Sequence, residues 1–158
     1  MYKTLGTWLL KRNIAKLNAG DYGPVLAMFT DDAALAFPGD NGFARQFRPV
    51  EKGRSAHVSH RGKAEIEGFL CQYVANGMQM QIDDVLMGGP PWNLRIAARV
   101  RAWSPASDGT DRYNNRAVMY IVTRWGKIRE HEDYEDSERS AAFSELLGLD
   151  HAGTAHSR

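Results

Sequence analysis

The chain has a single cysteine and no long hydrophobic run, and these two absences exclude several classes of protein. Cys71 has no second cysteine in the chain, so it forms neither an internal disulfide nor a cysteine-based zinc site. No apolar segment approaches the ~20 residues that a membrane-spanning helix needs, and the first residues lack the apolar stretch of a signal peptide. We therefore predict a soluble protein of the reducing cytoplasm without a membrane partner.

An excess of charge of either sign is also missing. The 20 basic and 19 acidic side chains leave a formal net charge of +1, whereas a nucleic-acid-binding domain usually has a clear basic excess. We therefore predict no nucleic-acid partner. There is also no glycine-rich phosphate loop, and we predict no cofactor. His57, His60 and His131 could suggest a metal site, but no His-Glu-x-x-His pattern accompanies them and we predict none.

The composition that remains is typical of one globular domain. The 158 residues are 43% hydrophobic, which is enough for one core and leaves little room for a second domain. We assign residues 1–148 to this domain and the small, polar residues 149–158 to a flexible tail.

Helical periodicity dominates the first half of the chain. The spacing of apolar residues predicts helices over Leu5–Leu17 and Lys63–Asn76, and Asp21 is expected to cap a short helix between them. Ala33–Phe37 is predicted as a strand that a Pro-Gly pair ends. The segment Asp40–His60 shows no periodicity and is predicted as a long loop, which could act as a lid.

The second half changes to the alternation of β-strands. Strands are predicted at Met78–Asp83, Trp92–Trp103, Tyr113–Trp125 and Ile128–Asp136, in a meander. The third of them is apolar on both faces and is predicted to be central and buried on both sides. Ser137 is expected to cap a last helix. Strands segregated from helices indicate an α+β fold.

Three segments carry a resemblance to a known superfamily. They are Phe29–Ala33 running into Phe37-Pro38-Gly39, Arg61–Ile66 at the start of a helix, and Trp125–Asp136. In this order the segments resemble the nuclear transport factor 2-like superfamily, and within it the SnoaL-like group. The resemblance covers the chain up to the last helix. It implies a cone made by a curved antiparallel sheet and closed by N-terminal helices, and it implies a homodimer.

The resemblance makes Asp133 the main candidate for catalysis. In SnoaL-like cyclases an aspartate in a similar Asp-Tyr-x-Asp stretch is the acid/base, and alternation places His131 and Glu135 on the same strand face as Asp133. His131 is a candidate proton relay or an ordinary sheet histidine. We expect Arg99 and Arg101 beside Asp133, where they would either stabilise an oxyanion or form a structural ion pair.

Two departures from the superfamily's patterns bear on the reaction. Limonene epoxide hydrolases have Arg-x-Asp where this chain has Arg99-Val100-Arg101, so the second carboxylate of that mechanism is missing. Ketosteroid isomerases have their base aspartate directly before a proline, where this chain has Phe37 before Pro38. Both departures argue against epoxide hydrolysis and steroid isomerisation by those routes.

Aromatic residues are expected either to wall the pocket or to form ordinary core. The candidates for ligand binding are Trp8, Tyr22, Phe29, Trp92, Tyr113 and Asn115. Tyr113 and Asn115 share one face of their strand, while Asn114 and Arg116 share the other, and the sequence leaves open which face lines the cone.

Three functions remain open from the sequence. One is a cofactor-independent isomerase, cyclase or lyase in which Asp133 moves a proton on a mostly apolar, carbonyl-bearing ligand. The second is a non-catalytic ligand-binding or accessory protein that acts as a homodimer. The third is an interaction module that uses the outer face of the sheet, where Tyr120, Arg124, Trp125 and Tyr134 would lie.

Overall fold

One six-stranded sheet and four helices make up the described part of the chain. The computed structural model describes residues 2–38 and 57–147. The elements are α1 (Tyr2–Asn18), α2 (Gly23–Leu26), β1 (Phe29–Pro38), β2 (His57–Arg61), α3 (Gly62–Ala75), β3 (Gln79–Gly88), β4 (Arg95–Pro105), β5 (Asp111–Arg124), β6 (Lys127–Glu135) and α4 (Ser137–Leu146). Most of the predicted lid and the whole predicted tail lie outside the described residues.

The sheet is curved and unclosed, with the strand order β2-β1-β6-β5-β4-β3. The last four strands form the predicted antiparallel meander, and the α+β prediction is confirmed. β1 joins β6 in parallel, with Leu35 opposite His131, so the sheet is mixed rather than purely antiparallel. β2 pairs antiparallel with β1 at one edge. This short strand lies where the sequence predicted loop, because five residues show too little alternation to be recognised.

The main core lies between the concave face of the sheet and helices α1 and α3. The predicted stripe of α3 is buried at Ile66, Phe69, Leu70 and Tyr73. The stripe of α1 is narrower than predicted: Leu10, Ile14 and Leu17 are buried, but Trp8 and Leu9 are exposed. Only residues at helical spacing from Leu10 can face the sheet, and the two positions before it point away.

Asn18 fastens the end of α1 to the edge of the sheet. Its side-chain amide donates to the carbonyl oxygen of Met80 at 2.8 Å, and its amide oxygen accepts from the backbone N–H of Met80 at 2.9 Å. The side chain of Asn18 thereby takes the place of a neighbouring strand along this part of β3. This pairing holds the N-terminal helices over one end of the concave face.

Strand β5 is buried on one face only, contrary to the prediction. Met119 and Ile121 on the concave face are buried, while Val118 and Tyr120 on the outer face are 41% and 39% exposed. β5 does lie between two other strands, but within the described residues the helices cover only one side of it. The apolar run predicted correctly that β5 is an interior strand and wrongly that both of its faces are covered.

Both predicted helix caps are shifted by one residue. The N-cap position of α2 is Tyr22, without a side-chain hydrogen bond, and Asp21 instead lies 3.8 Å from Lys16. At α4 the cap is Asp136, whose side chain accepts from the N–H groups of Glu138 and Arg139. Asp136 has the extended backbone that a capping residue needs, whereas Ser137 is already the first helical residue.

A two-residue turn with unusual backbone angles joins β5 to β6. Trp125 and Gly126 have φ angles of 51° and 77°, and Arg124 pairs directly with Lys127. Turns with two positive φ angles match the twist of a hairpin and favour Asn-Gly. A bulky residue in this region costs about 1–2 kcal/mol. Trp125 is 75% exposed, so burial of its indole does not offset that cost.

Candidate functional site

A cavity lies between the concave face of the sheet and the N-terminal helices. Its volume is about 80 Å³, several times the ~10–15 Å³ that one water molecule needs. Among the described residues, the lining is apolar except for five side chains: Tyr73, Tyr113, His131, Asp133 and Glu135. A few polar groups in an otherwise apolar cavity are the lining pattern of a small-molecule site, and a volume below the ~300–1,000 Å³ of sites for drug-sized ligands restricts this cavity to a small ligand.

Strand β6 supplies three of these polar groups, as the alternation predicted. Nε2 of His131 lies 3.0 Å from Oδ1 of Asp133, and Asp133 is only 9% exposed. The imidazole stacks on Phe29, with ring centroids 6.2 Å apart and planes 5° apart. Nδ1 of His131 is buried and has no hydrogen-bond partner among the described residues. We therefore assign the ring hydrogen to Nε2, which donates to Asp133 and orients it.

Glu135 has a different environment two residues further along β6. Its two oxygens accept hydrogen bonds from the hydroxyls of Ser140, at 2.6 Å, and Tyr113, at 3.3 Å. The pKa of Glu135 is raised to about 7, mainly by burial. The hydrogen bond from Ser140 lowers the pKa, and the negative charge of Asp133 raises it. The cavity therefore contains a carboxyl group that can give or take a proton near neutral pH. Alternation had placed Glu135 on this face, but the sequence did not single it out.

Tyr113 and Asn115 lie on the concave face of β5, which answers the question that the sequence left open. Both are buried, while Asn114 and Arg116 are exposed. The amide of Asn115 donates to the Tyr113 hydroxyl at 3.0 Å and to the backbone oxygen of Asp136 at 3.0 Å. Tyr113 lines the cavity, whereas Asn115 stands behind it. Asn115 can therefore act on a ligand only by positioning Tyr113.

Tyr73 of α3 is a further polar group that sequence reasoning missed. Its hydroxyl is buried and has no hydrogen-bond partner among the described residues. Burial raises the pKa of this phenol, and the charge of Asp133 raises it further. The hydroxyl is therefore a neutral donor close to the carboxylates. A tyrosine within the apolar stripe of a helix was the signal that could have identified it.

Arg99 and Arg101 do not lie beside Asp133, and that prediction is wrong. β4 places Ala98 in register with Met119, and Met119 is opposite Asp133. The two arginines alternate onto the outer face, where Nε and Nη2 of Arg101 each donate to Asp83 at 3.1 Å. The sequence showed that these arginines share a polar face, but not that this face is the outer one.

Three of the predicted wall residues lie outside the cavity. Phe29 lines it, but Trp8, Tyr22 and Trp92 do not. Trp8 is 55% exposed with the Arg12 guanidinium 5.4 Å from its ring centroid, and Trp92 is 53% exposed. Tyr22 is half-buried, and its hydroxyl donates to Glu67 at 3.3 Å. Methionine supplies much of the wall in their place, through Met28, Met78, Met80 and Met119.

Neither a metal cluster nor a spanning helix is found in residues 2–38 and 57–147. No group of three or more His, Cys, Asp or Glu side chains there could hold a metal ion. His60 is fully buried, with ring contacts to Phe37 and Phe69. None of the helices in these two ranges combines the length and the apolar character needed to cross a membrane.

Comparison with solved structures shows the fold. A nuclear transport factor 2-like protein from Burkholderia xenovorans LB400 superposes with a TM-score of 0.54, at 18% identity over 87% of this chain and 95% of that one. TerC, co-crystallised with polyporic acid, gives 0.64 at 20% identity over 90% and 98% of the two chains. A loop-truncation variant of IdmH gives 0.62 at 18% identity over 91% and 98%. No protein-family model and no curated protein matches the sequence.

Proposed function

We propose that this chain, which has the nuclear transport factor 2-like fold, binds a small, mostly apolar, carbonyl-bearing molecule in its cavity and transfers a proton on it. The observation that carries the proposal is the contact of 3.0 Å between His131 and Asp133 inside an apolar cavity. A carboxylate oriented by a histidine and largely withdrawn from water is the arrangement that general base catalysis needs. The reaction class is an isomerisation, an aldol cyclisation or a dehydration, without a cofactor.

Asp133 is the base in this proposal. Oδ1 is engaged by His131, which leaves Oδ2 to take a proton from the carbon next to the ligand's carbonyl group. The electron pair of the broken C–H bond moves onto the carbonyl oxygen. The hydroxyl of Tyr73, which has no hydrogen-bond partner among residues 2–38 and 57–147, is the donor that stabilises the resulting oxyanion. Glu135, with a pKa of about 7, returns a proton to the ligand at its new position as the electron pair moves back from the oxygen to carbon. Transfer of the proton held by Asp133 to Glu135 then restores both groups for the next turnover.

The wall of the cavity supports an apolar ligand. Four methionines line it, and their flexible, polarisable side chains adapt to a flat or branched hydrocarbon skeleton. The arginines are absent from the described wall, so a neutral carbonyl compound suits the cavity better than a carboxylate. The similarity of the fold to TerC, which was co-crystallised with polyporic acid, is consistent with a small organic ligand.

A deuterium-exchange experiment tests the proton transfer directly. Carbonyl compounds that raise the melting temperature would be incubated with the protein in D₂O, and loss of the α-proton signal would be followed by ¹H NMR. We expect Asp133→Asn to keep the thermal shift and to slow the exchange by about 100-fold or more. Asp83→Asn is the matched control, because Asp83 is an aspartate of the outer face that pairs with Arg101. It should exchange like the wild type.

The second candidate function is a non-catalytic binder, and the same experiment separates it from the first. If compounds raise the melting temperatures of the wild type and Asp133→Asn equally, and neither protein exchanges the α-proton, the protein is a carrier and not an enzyme. Under both functions we propose a homodimer formed through the outer face of the sheet. Val118, Tyr120 and Tyr134 are 41%, 39% and 50% exposed there. Light scattering of the wild type and of Tyr134→Glu measures this association.

A further inference from the structure

A second groove lies outside the cavity, at the end of the sheet where β5 turns into β6. The turn before β4 and the Trp125-Gly126 turn form its two sides, and Val122 and Thr123 lie between them. Alternation directs Arg95 and Val122 to the outer face of the sheet, away from Asp133. The groove is therefore separated from the proposed reaction site by the sheet itself.

Two exposed indoles dominate the groove. The rings of Trp92 and Trp125 have centroids 6.3 Å apart and planes 36° apart, and they are 53% and 75% exposed. The backbone N–H of Trp125 donates to the carbonyl oxygen of Trp92 at 3.0 Å, so the two turns that carry the rings are fixed to each other. A pair of indoles held at this separation offers a flat ligand an aromatic surface without a large ordering cost.

The charge of the groove is positive. Of the described residues that line it, Arg95, Arg124 and Arg129 are basic and Glu130 alone is acidic. Arg129 lies 3.9 Å from Glu130, while Arg95 donates to the amide oxygen of Asn93 at 2.6 Å. That amide orients the guanidinium of Arg95 but does not neutralise it. An oriented guanidinium in a groove that also contains aromatic rings suits a carboxylate or phosphate attached to a ring.

The backbone of Trp125 adds an independent observation. Its φ angle of 51° lies in the region that glycine and asparagine adopt most readily, and the turn it opens favours Asn-Gly. An asparagine would adopt this turn with less strain. The indole is exposed, so its burial does not compensate for the strain of the backbone. The contact with Trp92 leaves the indole of Trp125 75% exposed and so offsets little of this strain, which points to a role of the side chain itself.

We propose that this groove is a second binding site, which takes a planar aromatic anion. The ring of the ligand stacks on Trp92 or Trp125, and its carboxylate or phosphate pairs with Arg95 and Arg124. Both halves of the ligand are needed, because stacking alone would accept neutral rings and the arginines alone would accept any anion. This proposal is independent of the proton transfer in the cavity.

The test uses 2-naphthoate with the full-length protein. The chain has four tryptophans, and each gives one indole N–H signal in a ¹⁵N-labelled sample, assigned through single Trp→Phe variants. We expect 2-naphthoate to shift the signals of Trp92 and Trp125 and to leave that of Trp8 unchanged. 2-Naphthylmethanol, which lacks the charge, and cyclohexanecarboxylate, which lacks the aromatic ring, should each bind at least about fivefold more weakly.

Trp125→Asn separates a ligand site from a structural role. The substitution removes the signal of Trp125 and should abolish the shift of Trp92, and it should raise the melting temperature by about 2–4 °C, because asparagine suits the turn. Trp8→Phe is the control, because Trp8 is also exposed (55%, against 75% for Trp125) and lies outside the groove. Arg124→Gln should weaken 2-naphthoate and leave 2-naphthylmethanol unchanged, with Arg116→Gln on the outer face as its control.

Several results would overturn the proposal. One is an absence of shifts at Trp92 and Trp125 with millimolar 2-naphthoate, including the case where light scattering shows that self-association covers the groove. A second is equal binding of the charged and neutral naphthalenes. A third is a lower melting temperature for Trp125→Asn, because it would show that the indole has a packing role. If the protein bound single-stranded RNA tightly and 2-naphthoate weakly, the ligand of the groove would be a nucleic acid and not a small anion.

Discussion

Replacing Glu135 by glutamine should change how the stability of the protein depends on pH. In the folded chain the pKa of Glu135 is raised from 4.5 to about 7, so between these two values the folded state holds a proton that the unfolded state has released. The stabilisation from the protonated carboxyl is complete below pH 4.5 and is lost as the pH rises through 7. The wild type therefore becomes less stable over this window, whereas glutamine, the neutral isostere, does not titrate.

The magnitude follows from the size of the pKa difference. At about 1.4 kcal/mol per pH unit, the complete effect is about 3 kcal/mol, and the part that falls between pH 5 and pH 8 is about 2–3 kcal/mol. Relaxation of the half-buried site makes this an upper limit. Glu135→Gln should thus gain stability relative to the wild type as the pH rises, and the difference should level off above about pH 7.5.

Urea unfolding followed by circular dichroism at pH 5, 6, 7 and 8 measures this difference. His131, Asp133, Tyr73 and Tyr113 also face this part of the cavity, and subtracting the variant from the wild type at each pH removes most of their shared contribution. Glu130→Gln controls for the loss of an exposed carboxylate on the same strand. This prediction would be refuted if the difference in free energy of unfolding between wild type and variant changed by less than about 0.5 kcal/mol from pH 5 to pH 8.

Two other substitutions test the packing and the chemistry around the same carboxyl group. Phe143→Ala should lower the free energy of unfolding by about 3–5 kcal/mol, because Phe143 is 3% exposed and packs on Tyr113 with ring centroids 4.7 Å apart. The control is Leu146→Ala, at a residue that is 62% exposed. It should lower the free energy of unfolding by about 0.5 kcal/mol or less in the same urea titration. Tyr73→Phe removes a buried hydroxyl that has no partner in the described part of the chain, so stability should hold while deuterium exchange slows about tenfold or more. Unchanged exchange would exclude Tyr73 as the oxyanion donor.

Local periodicity explains most of what could be predicted. The stripe of α3, the meander of β3 to β6 and the shared face of His131, Asp133 and Glu135 all follow from spacings of two or of three to four residues. These patterns involve residues that are close in sequence, so they can be recognised without knowing how the rest of the chain packs. Helix caps were less well predicted because the choice between Asp136 and Ser137 depends on one backbone angle.

The site was harder to predict than the fold. Arg99 and Arg101 were expected beside Asp133, and Trp8 and Trp92 were expected in the wall. In each case the residue type was suited to the role, and the face on which it lay was not known. Tyr73 and Glu135 were on predicted buried faces, but nothing in their local sequence distinguished them from ordinary core.

By itself the sequence determined the elements, their order and the sets of side chains that share a face. Only the tertiary structure decided which of those faces the helices cover, and therefore that Asp133 and Tyr113 point into the cavity while Arg101 and Trp92 point away from it. The reason is physical. Alternation is set by the geometry of one strand, whereas burial, the pKa of Glu135 and the contact between His131 and Asp133 arise from helices and strands that are distant in the chain.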